Sequence, residues 1–159
     1  MNDTPDMLIR RATPDDAPTI ARFNIDMARE SENIALNPAT VEQGVRAALA
    51  DENKAIYFVA EVGGRLAGQL MITHEWSDWR NGDIWWIQSV YVHPDFRRRG
   101  IFRALYRFVE TQARASGAVK LRLYVERDNH SAQRTYESLG MHVSHYLLME
   151  TADALDVQS

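Results

Sequence analysis

Residues 90–105 read VYVHPDFRRRGIFRAL, and this stretch decides the fold. Val90–Val92 ends an apolar run, 84–92 (IWWIQSVYV), whose alternation is apolar on both faces and predicts a central strand covered twice. His93–Phe96 turns around Pro94. From Gly100, apolar residues recur at helical spacing (Ile101, Leu105, Phe108, Val109) until Gly117 closes the helix. The unit is therefore strand, arginine-rich turn, helix. A helix N-terminus presents unbonded amides and the positive end of a dipole. Gly100 permits close backbone approach, and Arg97, Arg98, Arg99 and Arg103 add charge-assisted donors. Together they describe a cradle for a pyrophosphate. Taken alone, the stretch is equally compatible with a solvated basic turn.

Outward from this unit, residues 7–12, 55–62, 66–72, 119–125 and 141–149 read as further strands, with helices over about 13–27, 40–50 and 130–139. Thr13 and Thr40 are the expected N-caps, Thr40 with Gln43 as a capping box. Residues 74–83 (HEWSDWRNGD) read as a polar, aromatic loop ending in an Asn-Gly turn. The order β-α-α-β-β-β-α-β-α-β predicts an α/β fold: a mixed, mostly antiparallel sheet flanked by about four helices, in one domain over 1–159 with its core at about 7–150.

The chain has 159 residues, enough for a substantial core, with 45% apolar and 25% charged residues. It has no cysteine, which excludes disulfides, thiolate metal sites and cysteine nucleophiles. No apolar run approaches the roughly 18 residues that cross a bilayer, and MNDTPDMLIRRATPDD has no signal-peptide core, so a cytoplasmic protein without a membrane partner is expected. The net charge of −4 argues against a nucleic-acid partner, although 16 of the 18 basic residues are arginine and five lie between 97 and 107. No metal is expected. All four tryptophans (Trp76, Trp79, Trp85, Trp86) fall within 76–86.

VYVHPDFRRRGIFRAL resembles the acetyl-CoA-binding signature of the GNAT superfamily of N-acetyltransferases. Arg97 and Gly100 match its glutamine-or-arginine and first glycine, while Phe102 stands where a small residue is usual. Downstream, Asn129-x-x-Ala132-x-x-x-Tyr136-x-x-x-Gly140-Met141 is similar to the family's C-terminal element. The resemblance covers roughly 7–150. It implies six or seven strands, splayed around the fourth and fifth, with acetyl-CoA as co-substrate. It implies cofactor contacts at Val90, Tyr91, Val92, Arg97, Arg98, Arg99, Gly100, Ile101, Phe102, Arg103, Asn129 and Tyr136, and a bulge near Val90 and Tyr91 that frees an N–H for the acetyl carbonyl.

Transfer needs a neutral amine, a polarised carbonyl and a proton for the leaving thiolate. Deprotonating a lysine-like amine at pH 7 costs about 4.6 kcal/mol (about 3.4 units at about 1.36 each). Similar enzymes often use a glutamate where this chain has Gln88, which takes no proton. Glu75 and Asp78 are the expected bases, His74 a weaker one, and Tyr136 the expected acid, because a phenol stays protonated at pH 7. Glu75, Trp76, Trp79, Arg80 and Gln88 are expected to hold a small-molecule or peptide amine. Core packing remains open for Tyr136, a helix cap for Asn129 and a solvated loop for Glu75 and Asp78. The expected activity is direct acetyl transfer in a ternary complex. A non-catalytic acyl-CoA-binding module of the same fold is the alternative, and a homodimer is left open.

Overall fold

The computed structural model describes residues 6–155, which form two compact units, one up to Tyr124 and one from Val125. In the first, β1 (Met7–Arg11), β2 (Ile56–Val62), β3 (Arg65–Ser77), β4 (Gly82–Val92) and β5 (Lys120–Leu123) build one sheet in the order β1-β2-β3-β4-β5. All pairs are antiparallel except β4 with β5, which is parallel because the helix α3 (Ile101–Ala115) crosses over between them. The mixed, mostly antiparallel α/β class is as expected. The sheet has five strands among the described residues, not six or seven.

Helices α1 (Ala17–Glu32) and α2 (Pro38–Ala50) pack on one face. Ala17, Ile20, Ala21 and Val45 meet Tyr57 and Val59 there, and all six are buried. On the other face Phe58 meets Phe108 of α3 edge-on at 5.6 Å, and Leu105 and Val109 are wholly buried. Burying side chains of this size removes about 1.5–3 kcal/mol of unfavourable hydration each, which anchors both helices to β2–β4.

Three local expectations need correction. Residues 74–83 are not a loop. β3 runs on to Ser77 and β4 starts at Gly82, with Glu75 opposite Ile84 and Ser77 opposite Gly82. Polar residues extend the hairpin because each gains a ladder partner, and only residues 78–81 turn, ending at Asn81 with φ 46°. Asn37, not Thr40, caps α2: its Oδ1 accepts the Thr40 N–H at 3.1 Å, with Pro38 at the first helical position. Thr13 is an N-cap as expected, with Pro14 after it, but it caps a single tight turn, Pro14–Asp16, and α1 begins only after that turn.

The second unit holds α4 (His130–Ser138). The stretch 141–149, expected as the last strand, has no strand assignment. A period-two pattern makes a strand only where a neighbour takes its backbone bonds. Among the described residues of this unit there is no second strand, and Val143, Leu147 and Met149 remain exposed.

Candidate functional site

The register between β3 and β4 breaks once. Gln69 stands opposite Tyr91 and Met71 opposite Gln88, so Leu70 alone faces two residues, Ser89 and Val90. The expected bulge is present at that place. Ser89 takes the left-handed conformation (φ 51°), uncommon for a residue with a Cβ. Pairing of β4 with β5 ends at Ile87 opposite Leu123, so neither neighbouring strand offers Ser89 or Val90 a register partner. The wholly buried Gln69 grips the bulge. Its Nε2 donates to the Ser89 carbonyl at 3.1 Å and to Asn24 Oδ1 at 2.8 Å, and Asn24 Nδ2 donates to the Tyr57 hydroxyl at 3.1 Å. Sequence reading assigned no role to these three residues.

From the bulge, β4 leads through the turn Pro94–Phe96 to α3. Gly100 is left-handed at φ 76° and Arg98 at φ 63°. No side chain caps the start of α3, and a Cβ built on Gly100 would meet nothing within 4 Å. Bare amides therefore open onto free space, flanked by exposed Arg98, Arg99 and Arg103. Ile101 is buried and anchors the first turn, while Phe102 lies half-buried 6.2 Å from the Tyr106 ring. The residues present suit a pyrophosphate by main-chain logic, whatever stands at 102. Arg97 is engaged internally. It donates from Nε to the Val92 carbonyl at 3.0 Å and from Nη2 to Glu30 at 2.7 Å.

Glu30 also accepts from the Tyr91 hydroxyl at 3.0 Å. Arg97 beside it holds the Glu30 carboxyl below its ordinary range. Burial, then the Glu30 bond and the charges of Glu30 and Asp26, push the Tyr91 phenol up to about 12. Thus Asp26 and Glu30 of α1 face the residue that follows Val90. Sequence reading missed both acids. A signal existed, because Phe23, Asp26 and Glu30 share one helical face and Phe23 packs 5.2 Å from the Tyr91 ring.

The residues expected in one acceptor loop are separated. Alternation along β3 sends Glu75 to the α1/α2 face and Trp76 to the α3 face. Glu75 accepts from Trp86 Nε1 at 3.3 Å and Arg122 at 3.4 Å, and Trp86 stacks on Tyr124 at 4.5 Å. Gln88, on that same face, donates to Thr73 Oγ1 at 2.7 Å. Trp76 instead lines a groove of about 920 Å³ with His74, Trp85 and Phe108. Asp78, Trp79 and Arg80 stand exposed at the hairpin turn, Trp79 at 89%. Glu75 pairs with Ile84, six residues before Val90 and so roughly 20 Å along the strand. Neither Glu75 nor Asp78 is placed for direct proton transfer beside the bulge.

In the second unit, Asn129 Oδ1 accepts the Ala132 N–H at 3.1 Å and so caps α4. Burial raises the Tyr136 phenol above its ordinary value, which keeps it protonated at neutral pH. Among the described residues, no three His, Asp or Glu side chains gather as a metal site requires, and no helix is long and apolar enough to cross a membrane.

The family model described as the acetyltransferase (GNAT) family matches residues 21–141, from α1 past α4. The chain belongs to the GNAT family of acetyltransferases. A structure described as a possible acetyltransferase from Clostridium difficile 630 superposes with a TM-score of 0.88 at 43% identity, covering 94% of this chain and 99% of that one. An acetyltransferase of Pectobacterium atrosepticum is 37% identical over 53% of this chain, and the match spans 55% of that relative's length. A thialysine N-epsilon-acetyltransferase of Caenorhabditis elegans is 29% identical over 80% of this chain and 78% of its own. The GNAT match includes the bulge, the turn 97–103, Asn129 and Tyr136.

Proposed function

We propose that the protein moves an acetyl group from acetyl-CoA to a primary amine of a small molecule or peptide, by direct attack in a ternary complex. The observation that supports this is one strand–turn–helix unit carrying both the bulge at Ser89–Val90 and the bare, arginine-flanked start of α3. The amides around Gly100, with Arg98, Arg99 and Arg103, hold the pyrophosphate. The backbone of Val90–Val92 pairs with the pantetheine arm as an added strand does. Bound there, acetyl-CoA supplies an activated thioester carbonyl. The Val90 N–H meets the charge that develops on the carbonyl oxygen, a contact whose removal costs about 10²–10³ in rate in comparable sites.

Gln88 cannot accept a proton. We assign the attraction of the cationic amine to Asp26 and Glu30, and the proton's path to water beside them. Glu75 and Arg122, with the Trp86–Tyr124 stack, hold the far end of the acceptor. A carboxylate and a guanidinium 3.4 Å apart beside an aromatic wall, roughly 20 Å along the strand from Val90, suit the remote charges of an extended acceptor such as a peptide. The name of the nematode relative supports the other class, a small-molecule amine held close to the bulge by Asp26 and Glu30. Tyr136 protonates the departing thiolate, and Asn129 orders the start of its helix.

The test is thiol release, with product masses, from acetyl-CoA and a panel of diamino acids, polyamines and short peptides. Turnover with one class and acetyl-CoA binding are expected together. Gln88 favours one other reading, a non-catalytic acyl-CoA-binding module. Tight binding with no thiol release across the panel would establish that reading instead.

A further inference from the structure

We infer that Gln69 is a positioning residue that sets the direction of the Val90 N–H, with Asn24 and Tyr57 holding it in place. The inference rests on the acetyl transfer proposed above and extends it to residues outside the cleft.

The argument begins with the peptide plane. A trans peptide points its C=O and N–H in opposite directions, so whatever holds the Ser89 carbonyl also aims the Val90 amide. Gln69 Nε2 holds that carbonyl at 3.1 Å from the β3 side. The Val90 N–H must then project away from β3, toward the side where β4 has lost its β5 partner beyond Ile87. The Ser89 carbonyl can only accept, so the Gln69 amide is bound to present its nitrogen there. Asn24 Oδ1 takes the second hydrogen of that nitrogen at 2.8 Å, and Asn24 is held in turn by the Tyr57 hydroxyl at 3.1 Å. The Ser89 side chain also lies beside the same Tyr57 phenol.

Two costs mark this network as more than packing. Ser89 keeps a left-handed backbone in the middle of a central strand. Among the described residues, Gln69 Oε1 is buried with no hydrogen-bond partner. A leucine would fill the same volume without this orphan but would leave the Ser89 carbonyl and Asn24 Oδ1 without their donor, so the glutamine is tied to the bulge peptide it holds. A glutamine that orients the bulge peptide accounts for both features.

The test uses full-length ¹⁵N-labelled protein and two ligands: acetyl-CoA and the S-ethyl thioether of CoA, which lacks the carbonyl. In the unmutated protein, acetyl-CoA should move the Val90 amide proton downfield while the thioether does not. Gln69→Leu should lose most of that carbonyl-dependent shift, keep acetyl-CoA affinity within threefold, and lower kcat ten- to hundredfold. Should Gln69→Leu fail to fold, Asn24→Ala decides by the same readout, with a smaller loss in the same direction. A folded variant that keeps the full carbonyl-dependent shift overturns the inference. Absence of any acetyl-CoA-induced shift in the unmutated protein overturns the proposed function itself, and the inference with it.

Discussion

The Glu30 carboxylate lies 2.7 Å from the Arg97 guanidinium and 3.0 Å from the Tyr91 hydroxyl. One side chain of α1 thereby ties the bulged strand to the turn that opens α3. Both partners of the ion pair are almost half exposed, so Glu30→Gln should cost less than about 1 kcal/mol of stability. Its effect belongs to the ligand. With the turn released from α1, acetyl-CoA affinity should fall about three- to tenfold (about 0.7–1.4 kcal/mol) by calorimetry. An unchanged affinity would mean that Arg97 needs no latch.

Asp16 gathers several donors: both terminal nitrogens of Arg10 at 2.7 and 2.9 Å and the Thr13 N–H at 2.8 Å. The Arg10 bonds hold its carboxyl below the ordinary aspartate range, against the opposing effect of burial. A depressed folded-state pKa stabilises above the unfolded value, near 3.9, and that contribution is lost as pH falls through the folded value. Asp16→Asn should therefore cost about 2 kcal/mol at pH 7, with the two proteins converging in strong acid. Urea titrations across that pH range check it. A constant gap at every pH would assign the loss to packing.

Gly100 combines a left-handed backbone with open space above its Cα. Gly100→Ala should cost about 1–2 kcal/mol of stability from the backbone alone. It should also weaken acetyl-CoA at least tenfold, because the methyl group enters the space left for a phosphate. Acetyl-CoA at about 100 times its dissociation constant should stabilise the unmutated protein by about 2.7 kcal/mol. Thermal shifts no larger than those with adenosine would remove the turn as the pyrophosphate site.

Burial keeps the Tyr136 phenol protonated well past neutrality. Tyr136→Phe keeps the ring and removes the proton, so kcat should fall about 10²–10⁴-fold with acetyl-CoA affinity unchanged. The unmutated enzyme's activity should not decline on the alkaline side until above about pH 10. Unaltered turnover in the phenylalanine variant, with chemistry rate-limiting, would make the tyrosine structural.

Glu75 and Arg122 meet at 3.4 Å beside the Trp86 ring. Glu75→Gln should raise the acceptor KM several-fold while acetyl-CoA affinity stays within about threefold, roughly 0.7 kcal/mol. Asp78→Asn, at the exposed hairpin turn, should change neither value. The reverse ranking in a steady-state assay would return the acceptor to the hairpin tip.

Local chemistry made much of this protein readable from its sequence. Gly100 after three arginines, the helical spacing from Ile101 to Val109, and the doubly apolar run 84–92 each depend on neighbours in the chain, and the structure reproduces them. What depended on distant partners was not readable. A strand is completed by whatever pairs with it: polar residues 74–77 became strand because β4 lay alongside, whereas 141–149 has the pattern without a paired strand. Alternation then parted Glu75 from Trp76, neighbours in sequence, onto opposite faces of one sheet. The grip on Ser89 joins residues 20, 45 and 33 positions apart. Such separations carry no periodicity, so only the packing of α1 against β2–β4 could bring Asn24, Tyr57 and Gln69 to the bulge.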